Sequence, residues 1–198
     1  MYRGRFISVT NRIQCENNFL DRVEEITRLS PYALILREKD LSDDEYKKLA
    51  VKCMQICERN NVPFFCNDKI HVAEEMGIEN IQLSFKSYFE NKDNLQNFKC
   101  IGVSIHSVEE VQALINEPIS HIIAGHIYAT DCKKGLAPRG TDFLKAVCEA
   151  SPKNKVFGIG GINADNYRNV YDAGAYGFCI MSGLMKCKNA GEYMKKFE

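Results

Sequence analysis

No stretch of this chain approaches the ~18 consecutive apolar residues that a membrane-spanning helix needs, so the sequence offers no bilayer segment. An excess of either charge is also missing: lysine plus arginine and aspartate plus glutamate stand at 26 each. A neutral chain is not steered toward nucleic acid or an anionic membrane by its overall field. No linker or low-complexity segment interrupts the pattern, so a single domain over residues 1–198 is expected. The opening "MYRGRFISVTNR" has charge on both sides of a short apolar stretch and reads as a first strand, not a signal peptide. Paired cysteine spacing is lacking too. Nine cysteines are present, and the only close pair, Cys53 and Cys57, has helical i,i+4 spacing with no second pair to complete a zinc set. Reduced, buried thiols in a cytoplasmic protein are the expectation, with no metal.

What is present is alternation. Strand-like runs occur at "RFISVT", "YALILRE", "VPFFCN", "NIQLS", "CIGVSIH", "SHIIAGHIYA", "KVFGIGG" and "GFCIMSG". Helical spacing follows most of them. Phe19, Leu20, Val23, Ile26 and Leu29 recur at three and four residues, and Ser42 and Ser107 each precede a glutamate at the N3 position. Further helical patterns are "HVAEEMG", "NADNYRNVYDAG" and "NAGEYMKKF", the second ending on Gly174 as a plausible helix stop. Strands separated by helices run parallel, and strands covered on both faces read as continuous apolar runs. Eight units of about 25 residues predict a small (β/α)8 barrel, a TIM barrel, with an open doubly wound sheet as the alternative.

In such a barrel chemistry collects at the carboxyl ends of the strands. Those ends are polar here. The second strand runs into Arg37-Glu38-Lys39, with the two cations facing one way and Glu38 the other. The third ends in Asn67-Asp68, the fifth in Ser104 and His106, and the sixth in His126, Thr130 and Lys133. The seventh ends in Gly160-Gly161 and the eighth in Met181-Ser182-Gly183, a pairing of loops that suits a phosphate. Arg37 and Lys39 suit a second anionic group. His126 is the best acid/base candidate, with His106 and His71 behind it and His121 read as core. Cys132 beside Lys133 and Lys134 is a conceivable nucleophile, but no Cys/His pair stands out. Asn67-Asp68 alone makes a poor magnesium cage without substrate phosphates.

Together the segments "LILREKDLS", "CNDKIHVAEEMGIENIQLS", "GVSIHSVEE", "AGHIYATDCKKGLAPRG" and "VFGIGGINADN…AGAYGFCIMSGL" resemble the thiamine phosphate synthase superfamily over nearly the whole chain. The resemblance implies a (β/α)8 barrel acting on a phosphorylated thiazole. Its synthase branch joins a pyrimidine pyrophosphate to a thiazole phosphate with magnesium. That pattern has a glutamine where Ile35 stands, an acid shortly after the fourth strand where Ser84-Phe85-Lys86 stand, and a proline where His126 stands. "GH" followed by "TDCKKG" is similar to the thiazole tautomerase branch. On that reading His126 moves a proton while Arg37 or Lys39 neutralises a carboxylate, and Gly160, Gly161, Met181 and Ser182 hold the phosphate. The resemblance thus implies a tautomerase with no cofactor, a small-molecule substrate, no nucleic acid or membrane partner, and a homodimer as one option. The alternatives are the magnesium-dependent synthase, a non-catalytic thiazole phosphate-binding regulatory barrel, or another phosphate-handling isomerase.

Overall fold

The computed structural model describes residues 4–133 and 135–198. Its strands are β1 (Phe6–Val9), β2 (Ala33–Leu36), β3 (Phe64–Asn67), β4 (Asn80–Ser84), β5 (Cys100–Ile105), β6 (His121–Gly125), β7 (Lys155–Ile159) and β8 (Gly177–Ile180). They close in sequence order into a parallel barrel. The (β/α)8 architecture expected from the alternation is the one observed, and the open doubly wound sheet is not. Every residue of β1, β2, β6 and β8 is buried, as it must be when helices cover one face of a strand and the barrel core the other.

The helices begin where local chemistry allows. In α1 (Phe19–Thr27) the Asn18 side chain accepts from the N–H groups of Leu20 and Asp21 at 2.9 and 3.2 Å. In α2 (Asp43–Arg59) Ser42 and Glu45 form a reciprocal capping box. Ser107 caps α5 (Val108–Ala113), accepting from the Glu110 N–H at 3.2 Å. The patterns for α3 (Ile70–Glu75), α7 (Tyr167–Asp172) and α9 (Ala190–Lys195) are also met, and Gly174 past α7 has φ +90°. Three helices were not outlined by the pattern: α4 (Phe85–Asn91), α6 (Gly140–Ala150) and α8 (Ser182–Lys186). The longest, α6, starts on Gly140 with φ +78° and no side-chain cap, so its beginning carries no sequence signal. None of the described helices is long and apolar enough to cross a membrane.

The chain divides into two compact units, one running to Ile81 and resuming at Ile180–Glu198, the other spanning Gln82–Cys179. In the first, β1 and β2 register Ile7 on Ala33, and β2 and β3 register Leu34 on Phe64. A buried arginine fastens this unit internally. Arg22 of α1 is 2% exposed. Its guanidinium reaches Glu25 Oε2 at 3.0 Å, Cys187 Sγ at 3.0 Å, the Cys187 carbonyl and the Lys188 carbonyl at 3.4 Å. In the second unit β5, β6, β7 and β8 pair successively, with Ser104 on Ile123 and Ala124 on Gly158.

Candidate active site

In the second unit the carboxyl ends of β5, β6 and β7 form one connected structure. Past Gly125 the chain keeps pairing with its neighbour: the N–H of Ile127 donates to the Ile159 carbonyl at 2.8 Å, and that of Tyr128 to the Gly160 carbonyl at 2.9 Å. Gly125 is glycine because a Cβ there would lie 2.3 Å from Ile159 Cγ2. Gly160 has φ +99°, and a Cβ would fall 2.4 Å from that of His126. Gly161 has φ +65°, and a Cβ would fall 2.4 Å from the Ala129 carbonyl oxygen. The missing side chains of the β7 turn therefore make room for the segment after β6, a requirement that the sequence alone presented as room for a phosphate.

His126 is held from several sides and is only 5% exposed. Its Nε2 lies 3.3 Å from the Leu136 carbonyl, which only accepts, so Nε2 donates to it. Arg139 returns the loop to the strand: its N–H donates to the His126 carbonyl at 3.0 Å and its Nε to the Gly125 carbonyl at 3.1 Å. His106 Nδ1 donates to that same Gly125 carbonyl at 2.7 Å. The acid/base candidate of the sixth strand end is thus a buried ring tying the loop at Leu136 to β6. Thr130 and Lys133 stand in that loop, with the Lys133 N–H donating to the Thr130 carbonyl at 3.0 Å. Lys134 and the Cys132 side chain lie outside the described residues.

Below Ser104 runs a chain of polar groups inside the unit. Gln82 Nε2 donates to Ser104 Oγ at 3.0 Å, His121 Nε2 meets Gln82 Oε1 at 2.9 Å, and Ser120 Oγ meets His121 Nδ1 at 3.0 Å. His121 is fully buried, with the Phe157 ring edge-on at 5.8 Å. Burial, with a smaller push from Lys155, lowers its pKa to about 4, so the ring is neutral. The reading of His121 as a core residue holds.

In the first unit the ends of β1 and β2 are joined by Glu38, which is 2% exposed. It accepts from Thr10 Oγ1 at 2.6 Å and from the Arg12 N–H at 3.0 Å. Burial raises its pKa, against the pull of Thr10 and Arg12. The alternation placed Glu38 opposite the two cations, and indeed Arg37 is half-buried and Lys39 exposed. Neither forms an ion pair among the described residues. Asn67 ends β3, its Nδ2 donating to Asp68 Oδ2 at 3.2 Å. Lys69 and His71 are both taken up by Asp43, at 2.6 and 2.7 Å, which lowers that carboxyl to about 2. His71 is therefore spoken for at the base of α2. Met181 and Ser182 follow β8 at the start of α8, where a cleft of about 680 Å³ is lined by Ser182, Gly183, Lys186 and Tyr193.

The family model for thiamine monophosphate synthase matches residues 6–184. The chain belongs to this family. The thiamine-phosphate synthase of Lysinibacillus sphaericus is 31% identical over 169 residues, covering 82% of this chain and 79% of that one. Its counterpart in Staphylococcus saprophyticus is 29% identical over 198 residues, covering 97% and 93%. The thiamine phosphate pyrophosphorylase structure from Pyrococcus furiosus superposes with a TM-score of 0.81 over 98% of this chain and 93% of that chain, at 23% identity, which bears on the fold alone.

These relatives correct the tautomerase expectation. The family members at 27%, 29% and 31% identity all carry the name thiamine-phosphate synthase, and none of them that of a tautomerase. The places where this chain leaves the synthase pattern have structural explanations of their own. Ile35 is 1% exposed in β2, a core residue. Ser84 caps α4, accepting from the Ser87 N–H at 3.1 Å, and Lys86 pairs with Glu90 at 3.6 Å.

The family implies magnesium, and the residues described do not fit it by themselves. Among them no three His, Cys, Asp or Glu side chains converge, and the segment opening α4 offers no carboxylate. The eight described cysteines are free thiols. Burial pushes Cys57 up to about 12 and Cys148 to about 11, as inert structural thiols behave. Sequence reasoning missed Glu38, Gln82 and Arg139 as organisers of the site. An acid wedged between two cations was the available signal for Glu38. Arg139 lay inside a quoted motif without a role, and Gln82 had no signal.

Proposed function

We propose that the chain is an enzyme of thiamine biosynthesis that performs the synthase reaction, joining a pyrimidine pyrophosphate to a thiazole phosphate with release of pyrophosphate. The observation that carries this reading is the match of residues 6–184 to the family model, beside relatives named for that activity. Both substrates are polyanions, and the strand ends offer the groups such substrates need. The Gly160-Gly161 turn is proposed to present backbone amides to the thiazole phosphate, with Met181 and Ser182 contributing from the end of β8. Arg37, Lys39 and Lys133 supply positive charge for the pyrophosphate, and Asn67 and Ser104 supply hydrogen bonds. His126 closes the β6 end, with Nδ1 as the ring nitrogen that is not turned to Leu136. Positioning of the two rings and charge stabilisation of the departing pyrophosphate supply the rate.

The test is to incubate purified protein with both substrates, with and without magnesium, and to follow pyrophosphate release and the coupled product by mass. Equal amounts of pyrophosphate and thiamine phosphate are expected. Tight binding of the thiazole phosphate with no coupled product would reject the synthase reaction and leave a binding barrel.

A further inference from the structure

We propose that Gln82, His121 and Ser120 form a buried relay that fixes the polarity of Ser104, making its hydroxyl an obligate donor toward the substrate. Gln82 and His121 are then positioning residues for a site they never touch. The proposal rests on the reading of Ser104 as a substrate-binding residue of the proposed synthase.

The direction of the relay follows from one amide. Gln82 presents its oxygen to His121 at 2.9 Å and its nitrogen to Ser104 at 3.0 Å. A carbonyl oxygen only accepts, so His121 Nε2 carries the ring proton. The ring is neutral, so Nδ1 must accept, and the Ser120 hydroxyl at 3.0 Å donates to it. The Ser120 hydroxyl also donates to the Ile101 carbonyl at 2.9 Å, so its one proton is shared between that carbonyl, which receives the Ser120 N–H at 2.8 Å as well, and Nδ1. At the other end, Ser104 Oγ accepts the amide hydrogen of Gln82 and its own proton is directed away from Gln82. Ser104 is half-exposed, whereas Gln82 and His121 are buried. A hydroxyl set as donor favours a substrate atom that only accepts, such as a pyrophosphate oxygen, over a group that must donate. Turning the amide over would reverse every bond and make Ser104 donate inward. The relay is packed tightly: a Cβ on Gly102 would lie 2.1 Å from Gln82 Oε1 and 2.4 Å from His121 Cε1.

Two measurements decide it. Ring ¹⁵N shifts of the full-length protein should show His121 as the Nε2–H tautomer; an Nδ1–H tautomer reverses the chain and overturns the proposal. Inorganic pyrophosphate, titrated calorimetrically, is the ligand probe. Gln82→Met removes the bond to Ser104 and should weaken pyrophosphate binding about three- to tenfold. In a Ser104→Ala background the same change should cost less than twofold, because its target is gone. Equal losses in both backgrounds mean that Gln82 only fills the barrel, and the proposal fails. If Gln82→Met does not fold, Gln82→Glu serves instead: it keeps the acceptor toward His121 and turns Ser104 inward, so binding must fall in the Ser104 protein and not in Ser104→Ala. Should wild-type protein bind no pyrophosphate, the proposed function is what fails, and the His121 tautomer still decides the relay.

Discussion

Gly161 illustrates how one residue type can be read correctly as special and for an incomplete reason. Its φ of +65° and the 2.4 Å approach of the Ala129 carbonyl to its missing Cβ both demand glycine before any ligand arrives. Gly161→Ala should therefore lower stability by about 1–3 kcal/mol, read from denaturant midpoints without ligand; an unchanged midpoint would return the glycine to a purely ligand-facing role. His121 makes a prediction about pH. Its pKa is about 4 when folded and near 6.5 when exposed, so the unfolded chain takes up the proton first as pH falls. Its contribution is complete above about pH 6.5 and is lost progressively down to about pH 4. The difference in melting temperature between wild type and His121→Gln should shrink across that window. A constant difference would mean that His121 is not neutral in the fold. His126, held by Leu136 at 3.3 Å, gives a third test. His126→Ala should make the chain around Leu136 more rapidly cleaved in limited proteolysis, with β6 itself unaffected.

Among elements, the strands were legible because burial on both faces writes an uninterrupted apolar run, and α1, α2 and α5 because their caps are written in side chains. β6 shows the limit. The run "SHIIAGHIYA" was read as one strand, and the strand proper stops at Gly125, although Ile127 and Tyr128 still bond to β7. Helix α6 was passed over because a positive-φ glycine starts it, and backbone conformation leaves little trace in residue type. The union of α1 with the turn before α9 was not legible at all, since Arg22 and Cys187 are 165 residues apart. It should be expensive to lose. Arg22→Ala leaves the carbonyls of Cys187 and Lys188 without their buried donor and should destabilise by about 2–4 kcal/mol. Arg22→Lys should recover little of this, because an ammonium cannot reproduce the planar fork. Full recovery by lysine, measured by urea unfolding, would show that charge alone was at work.

For the molecule as a whole, the barrel and the family were both readable from the order of a few strand-end segments. The branch was not. It was inferred from "GH" followed by "TDCKKG" and from departures at 35 and 84–86, and the latter two places turn out to serve the scaffold: Ile35 packs in the core and Ser84 starts a helix. Motif letters cannot separate a residue kept for packing from one kept for chemistry. Of the candidate site, the strand ends can be listed from sequence, whereas the contacts of Gln82 and Arg139 arise only in the folded chain. The described residues gather no three-ligand set, so magnesium titrated into the ligand-free protein should give no saturable heat. Stoichiometric binding without substrate would show a site that these side chains do not form.

The closeness of Gly102 to Gln82 and His121 has a consequence for how this sequence can change over time. A side chain at 102 would have no space until Gln82 or His121 became smaller, and shrinking either one alone leaves the other with an unanswered polar atom in the barrel. The three positions therefore form a single unit of inheritance. Drift at any one of them is held back until its companions move, and lineages that differ here should differ at all three together.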